Sequence, residues 1–156
     1  RAIRTKDFLY IRNFKPDRWP MGTGPGYGAP AAPMPSVDAL TNNTIAAFGD
    51  LDASPTKAWI ATHPKSEDGR FFNIAFGRRP EEELFDLRTD PHQTKNVAAE
   101  KDYATIRHAL SARLMKILKE TGDPRVTGDG TTFDKPPFSG EWQNTQRKPP
   151  GRPKKK

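Results

Sequence analysis

One stretch limits what the rest of this chain can fold into: KDYATIRHALSARLMKILKET, residues Lys101 to Thr121. Tyr103, Ile106, Leu110, Leu114, Ile117 and Leu118 recur at three- and four-residue steps, so a helix gathers them into one apolar stripe. Glu100 and Asp102 suit the positive end of that helix, and Lys116 and Lys119 suit the negative end. Gly122 is a natural cap, and Asp123-Pro124 prevents continuation. A helix of about 101–121 with a single apolar side needs a flat partner, which predicts a sheet.

Strands to build that sheet are present. In RAIRTKDFLYIRNF (1–14), Phe8, Tyr10 and Arg12 alternate with Leu9, Ile11 and Asn13, and the pattern predicts a hairpin around Lys6-Asp7. ELFDL (83–87) predicts a third strand, with Leu84 and Asp86 on one face and Glu83, Phe85 and Leu87 on the other. The turn after it is closed by Asp90 as cap, Pro91 at the first helical position and Gln93 reaching back in a capping-box manner. Asn96 is expected in the left-handed conformation that ends such a turn. The expected class is α+β, a small antiparallel sheet with a long C-terminal helix packed on it and long Gly/Pro-rich loops.

Two shorter segments join this frame. DASPTKAWIATHP predicts a helix capped by Ser54, with Pro55 in its first turn, Trp59, Ile60 and His63 sharing a face, and Pro64 as its stop. DGRFFNIAFG fits a short helix with Phe72, Ala75 and Phe76 on one side and Gly77 as cap, and fits a strand nearly as well. Residues 15–53 are loop-rich, because Pro20–Pro35 holds four Gly and five Pro in sixteen residues. No internal repeat is visible.

Composition bounds the rest. Of 156 residues only 33% are hydrophobic, so the packable core is small and marginal by itself. The net charge of +7 is mostly a tail: Glu141–Lys156 carries six Lys/Arg and one acid, leaving 20 basic and 18 acidic groups elsewhere. A basic nucleic-acid surface therefore does not follow from the total, and nucleic acid is disfavoured as a partner. Residues 138–156 are expected to be a disordered basic tail. Its RKPPGRPKKK looks like the Gly-Arg-Pro segments that enter a DNA minor groove, though a single short copy weighs little. There is no cysteine, so no disulfide or thiolate metal site. No apolar run is long enough to span a membrane. The chain opens at Arg1 inside a strand-like pattern, which suggests a fragment with room for a targeting segment upstream, and localisation is unknown from these residues.

Candidate chemistry is sparse. His63, His92 and His108 fall on different elements without metal-ligand spacing and read as surface or packing residues. GTGPGYG lacks the strand–helix frame of a phosphate loop. Glu81, Glu82 and Glu83 are adjacent and cannot all face one site. Asp50 and Asp52 either converge on a cation or sugar hydroxyl or cap a helix entry. Arg18-Trp19 places a guanidinium beside an aromatic plane, a surface suited to anionic sugars, while Trp19 simply pinning its loop to the body is the plainer alternative.

PEEELFDLRTDPHQTKNVA (80–98) resembles a stretch near the C-terminus of sulfatases of the alkaline-phosphatase-like superfamily. There a strand ending in Glu-Leu-(Phe/Tyr)-Asp-Leu precedes Asp-Pro, Asn-(Leu/Val)-Ala and a long helix. The counterparts are Glu83–Leu87, Asp90-Pro91 and Asn96-Val97-Ala98. The 1–14 hairpin, with Arg4-Thr5, is similar too. Ser54-Pro55-Thr56 and TGDPRV (121–126) resemble the branch containing heparan N-sulfatase and bacterial polysaccharide sulfatases.

The resemblance implies that residues 1–137 form the C-terminal subdomain of an α/β sulfatase. Its partners would be an N-terminal catalytic domain missing here and a sulfated carbohydrate, and secretion or a periplasmic or lysosomal setting follows only by family analogy. The intact enzyme would hydrolyse sulfate esters or sulfamates with Ca2+ and a formylglycine made within Cys/Ser-x-Pro-x-Arg. That pentapeptide does not occur: Ser54-Pro55-Thr56 has Pro one place early and no Arg, and Ser66–Arg70 has no Pro. No catalytic or metal residue is assigned, and the chain alone is expected to be inactive. Asp90, Pro91 and Asn96 are structural turn residues, with Arg18 and Trp19 the substrate-pocket rim candidates. The competing expectation is a non-enzymatic module whose basic tail binds anionic polymers or nucleic acid.

Overall fold

The computed structural model describes residues 1–22, 24, 33–67 and 69–135. Most of the Gly/Pro stretch and the whole basic tail fall outside them. Two compact units are distinguished, Arg1–Leu114 and Met115–Lys156.

The first unit carries the sheet. β1 (Ala2–Arg4) and β2 (Phe8–Arg12) form the antiparallel hairpin, paired from Ala2 with Ile11 to Arg4 with Leu9. Thr5 closes its turn, accepting the Phe8 N–H on its hydroxyl at 3.0 Å. β3 (Glu82–Asp86) lies antiparallel on the far side of β2, with Phe8 opposite Asp86 and Arg12 opposite Glu82. The pleat then puts Phe8, Tyr10, Leu84 and Asp86 on one face and Leu9, Ile11, Glu83 and Phe85 on the other.

The part of the long helix that belongs to this unit lies on the first face. After a 3-10 turn at Lys101–Tyr103, the helix runs from Ala104 to Glu120 (α4 in chain order). The Tyr103 ring meets Phe8 edge-on at 6.4 Å, and its hydroxyl donates to Asp86. The Tyr10 hydroxyl donates to Glu82 at 2.6 Å, and Arg107 donates to the Ala98 carbonyl at 2.9 Å. Leu110, Leu114 and Leu118 are buried, but Ile117 is 40% exposed and lies off the buried line.

Between β2 and β3 the chain builds a second core from short helices. They are α1 (Val37–Asn42), capped by Ser36, α2 (Pro55–Thr62), capped by Ser54, and α3 (Gly69–Ala75). Sequence reasoning gives no element at α1; six residues are too few to show a period. The α3 segment is helical, with Phe72, Ala75 and Phe76 turned to the core. Phe48 is the hub: its ring stacks on Phe76 at 4.2 Å and meets Phe72 edge-on at 6.1 Å. It is held at φ 48°, a conformation uncommon for a bulky side chain.

The expected face of α2 needs correction. Its buried residues are Lys57, Ala58 and Ala61; Ile60 packs at the core edge, while Trp59 and His63 stack on each other at 4.6 Å outside it. The Lys57 ammonium donates to the carbonyls of Thr44, Phe48 and Leu51 at 2.9, 3.2 and 2.7 Å. Burial lowers its pKa, and the nearby Asp52 opposes that shift.

In the second unit, Gly122 turns left-handed at φ 69° and Asp123 caps a short helix, α5 (Pro124–Thr127). Arg125 there pairs with Asp134 at 3.1 Å and lies over the Phe133 ring.

Candidate functional site

The segment after β3 is a hydrogen-bonded turn between the last strand and the long helix. Asp86 ends the strand and binds Arg88 three ways: through its backbone N–H at 3.1 Å, Nε at 2.8 Å and a second guanidinium nitrogen at 2.6 Å. The hydrogen bonds from Arg88 hold the Asp86 carboxyl down at about 2. Asp90 then accepts the Lys95 N–H at 2.8 Å and the Thr94 hydroxyl at 3.2 Å, and the Lys95 bond lowers its pKa.

Two expectations about this turn differ from what forms. The left-handed residue is Gln93, at φ 55°, and not Asn96. Gln93 donates through its side chain to the Pro91 carbonyl, so no capping box forms around Asp90. Asn96 has a different task. Its Oδ1 accepts the Leu84 N–H at 2.9 Å and the Ala98 N–H at 3.0 Å, and its Nδ2 donates to the Glu82 carbonyl at 3.2 Å. The Val97 N–H donates to the Leu84 carbonyl at 2.8 Å. The open edge of β3 is thus closed by one side chain and one backbone group, and sheet edges need such cover.

Two adjoining hollows lie between this turn and α3. One, of about 400 Å³, is floored by Leu9, Ile11 and Phe85, on the sheet face turned away from α4, and is walled by Arg78 and Arg79. The other, of about 490 Å³, is lined by Arg70, Phe71 and Lys95. Asn73, Ile74 and Thr94 border both. No sequence pattern unites these residues, because they come from four separated segments: β2, α3 with the residues after it, β3 and the turn.

The Arg78 guanidinium lies over the Trp19 ring at 5.1 Å, and that ring packs 6.2 Å from Phe48. Arg18 is exposed. A second guanidinium–ring pair, Arg70 over Phe71 at 4.8 Å, has the chemistry sought at Arg18-Trp19. Ser54 and Pro55 begin a helix, with the Ser54 hydroxyl accepting the Lys57 N–H at 3.1 Å. Among the described residues no group of three or more His, Asp or Glu side chains could hold a metal ion. Among them, no helix is long and apolar enough to cross a membrane.

Compared with known proteins, the chain is 30% identical over 126 residues to an ulvan-active sulfatase of Formosa agariphila. The match covers 79% of this chain and 17% of that protein, so the chain spans about a sixth of its relative. It supports a relationship to sulfatases at the family level. No family model matches the chain, and no solved structure does.

Proposed function

We propose that this chain is the C-terminal part of a sulfatase acting on sulfated carbohydrate, with residues 1–137 as the subdomain that completes the fold and 138–156 as a basic tail. The observation that carries this reading is the 126-residue match to a sulfatase, taken with the strand, edge-closing turn and long helix in the order the resemblance implies. The narrower placement beside heparan N-sulfatase rests on Ser54–Thr56 and Thr121–Val126. The nucleophile and the calcium belong to the remainder of the enzyme, and this part alone is inactive. Arg18 reaches the rim of the substrate pocket, with Trp19 anchoring its loop on the Phe48 core.

The test is sulfate release from ulvan, compared between the purified chain and the protein joined to its catalytic portion. Turnover by the joined protein and none by the chain is the expected result. Saturable sulfate release by the chain alone, or no release by the joined protein from any sulfated polysaccharide, refutes the reading.

A further inference from the structure

We propose that the groove between the outward face of α3 and the 93–96 turn is a subsite for a segment of sulfated saccharide, with a sugar ring against Phe71 and sulfates held by Arg70, Lys95 and Arg78. The proposal rests on the carbohydrate reading above and gives it a location.

The groove begins with the period of α3. Phe72, Ala75 and Phe76 are spent on the core, which leaves Arg70, Phe71, Asn73 and Ile74 facing outward. Phe71 and Ile74 stay 38% and 37% exposed. The two hollows each fall within the roughly 300–1,000 Å³ typical of ligand sites. Because Asn73, Ile74 and Thr94 border both, they form one continuous path.

Charge selects the ligand. The lining holds four cations, Arg70, Arg78, Arg79 and Lys95, against one carboxylate, Glu83, which already accepts from Asn13 at 2.9 Å. Arg79 is spent on the end of α3, donating to the carbonyls of Asn73 and Ile74. Arg70 and Arg78 each place their guanidinium carbon over a ring, at 4.8 and 5.1 Å, a cation–π contact that restrains the group, and a guanidinium's forked N–H donors suit oxyanions. Lys95 pairs with Glu100 at 2.9 Å, but the Lys95 side chain is 70% exposed, and such a pair yields readily to a ligand. The cations lie toward the two ends, and the shared middle is a neutral amide, a hydroxyl and an aliphatic side chain. That alternation suits sulfates borne on separate sugar rings. It suits a nucleic-acid backbone, with a charge at every unit, much less well.

The test is calorimetric titration of the full chain with a heparin hexasaccharide and its desulfated counterpart. The sulfated form should bind with an affinity that falls as salt rises. Arg70→Glu and Lys95→Glu should each weaken it by about tenfold, the scale of one charge-assisted contact. Phe71→Ala should weaken it too, while Arg113→Glu on the exposed side of α4 should not. Melting curves identify a misfolded variant, for which Arg70→Gln is the substitute. Unchanged affinity in the groove variants, equal binding of the desulfated sugar, no binding by the wild type, or binding lost only on removal of 147–156 would each overturn the proposal. Sulfate release by the joined protein judges the sulfatase reading independently of these outcomes.

Discussion

Replacing Asn96 by alanine isolates what the turn after β3 does for the fold. The side chain serves three backbone groups: it accepts the Leu84 and Ala98 N–H groups at 2.9 and 3.0 Å and donates to the Glu82 carbonyl at 3.2 Å. Leu84 and Ala98 are buried, whereas Asn96 itself is exposed. Water can therefore enter where the amide stood, and the loss is nearer the net worth of each bond than the full penalty of a stranded donor. At about 1 kcal/mol for each N–H and about 0.5 for the longer third bond, Asn96→Ala should cost about 2.5 kcal/mol. Asn96→Asp keeps the acceptor and loses only the third bond, so it should cost about 0.5 kcal/mol. Equilibrium urea unfolding measures both, read as a lower midpoint at an unchanged slope. An Asn96→Ala midpoint equal to wild type, or an aspartate variant as weak as alanine, would refute the edge-closing role.

Lys57→Met should destabilise the first unit by about 3 kcal/mol, since three inward carbonyls lose a charged donor and the relief of burying an ammonium offsets only part of that; urea unfolding reports it, and a neutral outcome would mean water already serves those carbonyls. Asp86 has its pKa lowered from 3.8 to about 2, so its contribution to stability is complete above pH 3.8 and is lost as pH falls through 2. The stability difference between wild type and Asp86→Asn should therefore shrink over that window, as melting temperatures against pH would record, and a constant difference contradicts the Arg88 cradle. Trp19→Ala should lower the melting temperature, because its ring packs beside Phe48, while Arg18→Ala should reduce kcat/KM of the joined enzyme on polymeric substrate, and an unchanged kcat/KM would refute the rim contact.

The legible parts of this fold were those set by local chemistry. Ser54-Pro55 starts a helix because a hydroxyl and a ring of fixed φ suit that position wherever they occur. Gly122 ends α4 because only glycine adopts a positive φ without strain. The strand pattern around Phe8 to Arg12 needs only its own alternation. Lys57 was hidden because a lysine in a short helix reads as solvent-facing, and its burial is decided by three carbonyls of the 44–51 loop. The residue type of Asn96 suits a left-handed turn, whereas the edge of β3 twelve residues back claims its amide. The Arg78 guanidinium over the Trp19 ring comes from a distant segment, which no local pattern foretells. The groove draws on residues 70–74, 78–79 and 93–96, and no local pattern announces such a meeting.

The central claim is that this chain completes a sulfatase, and the reading frame upstream of Arg1 tests it most directly. The account predicts a continuous frame that carries Cys/Ser-x-Pro-x-Arg in a larger catalytic portion. An initiating methionine immediately before Arg1, or an unrelated domain there, would contradict it.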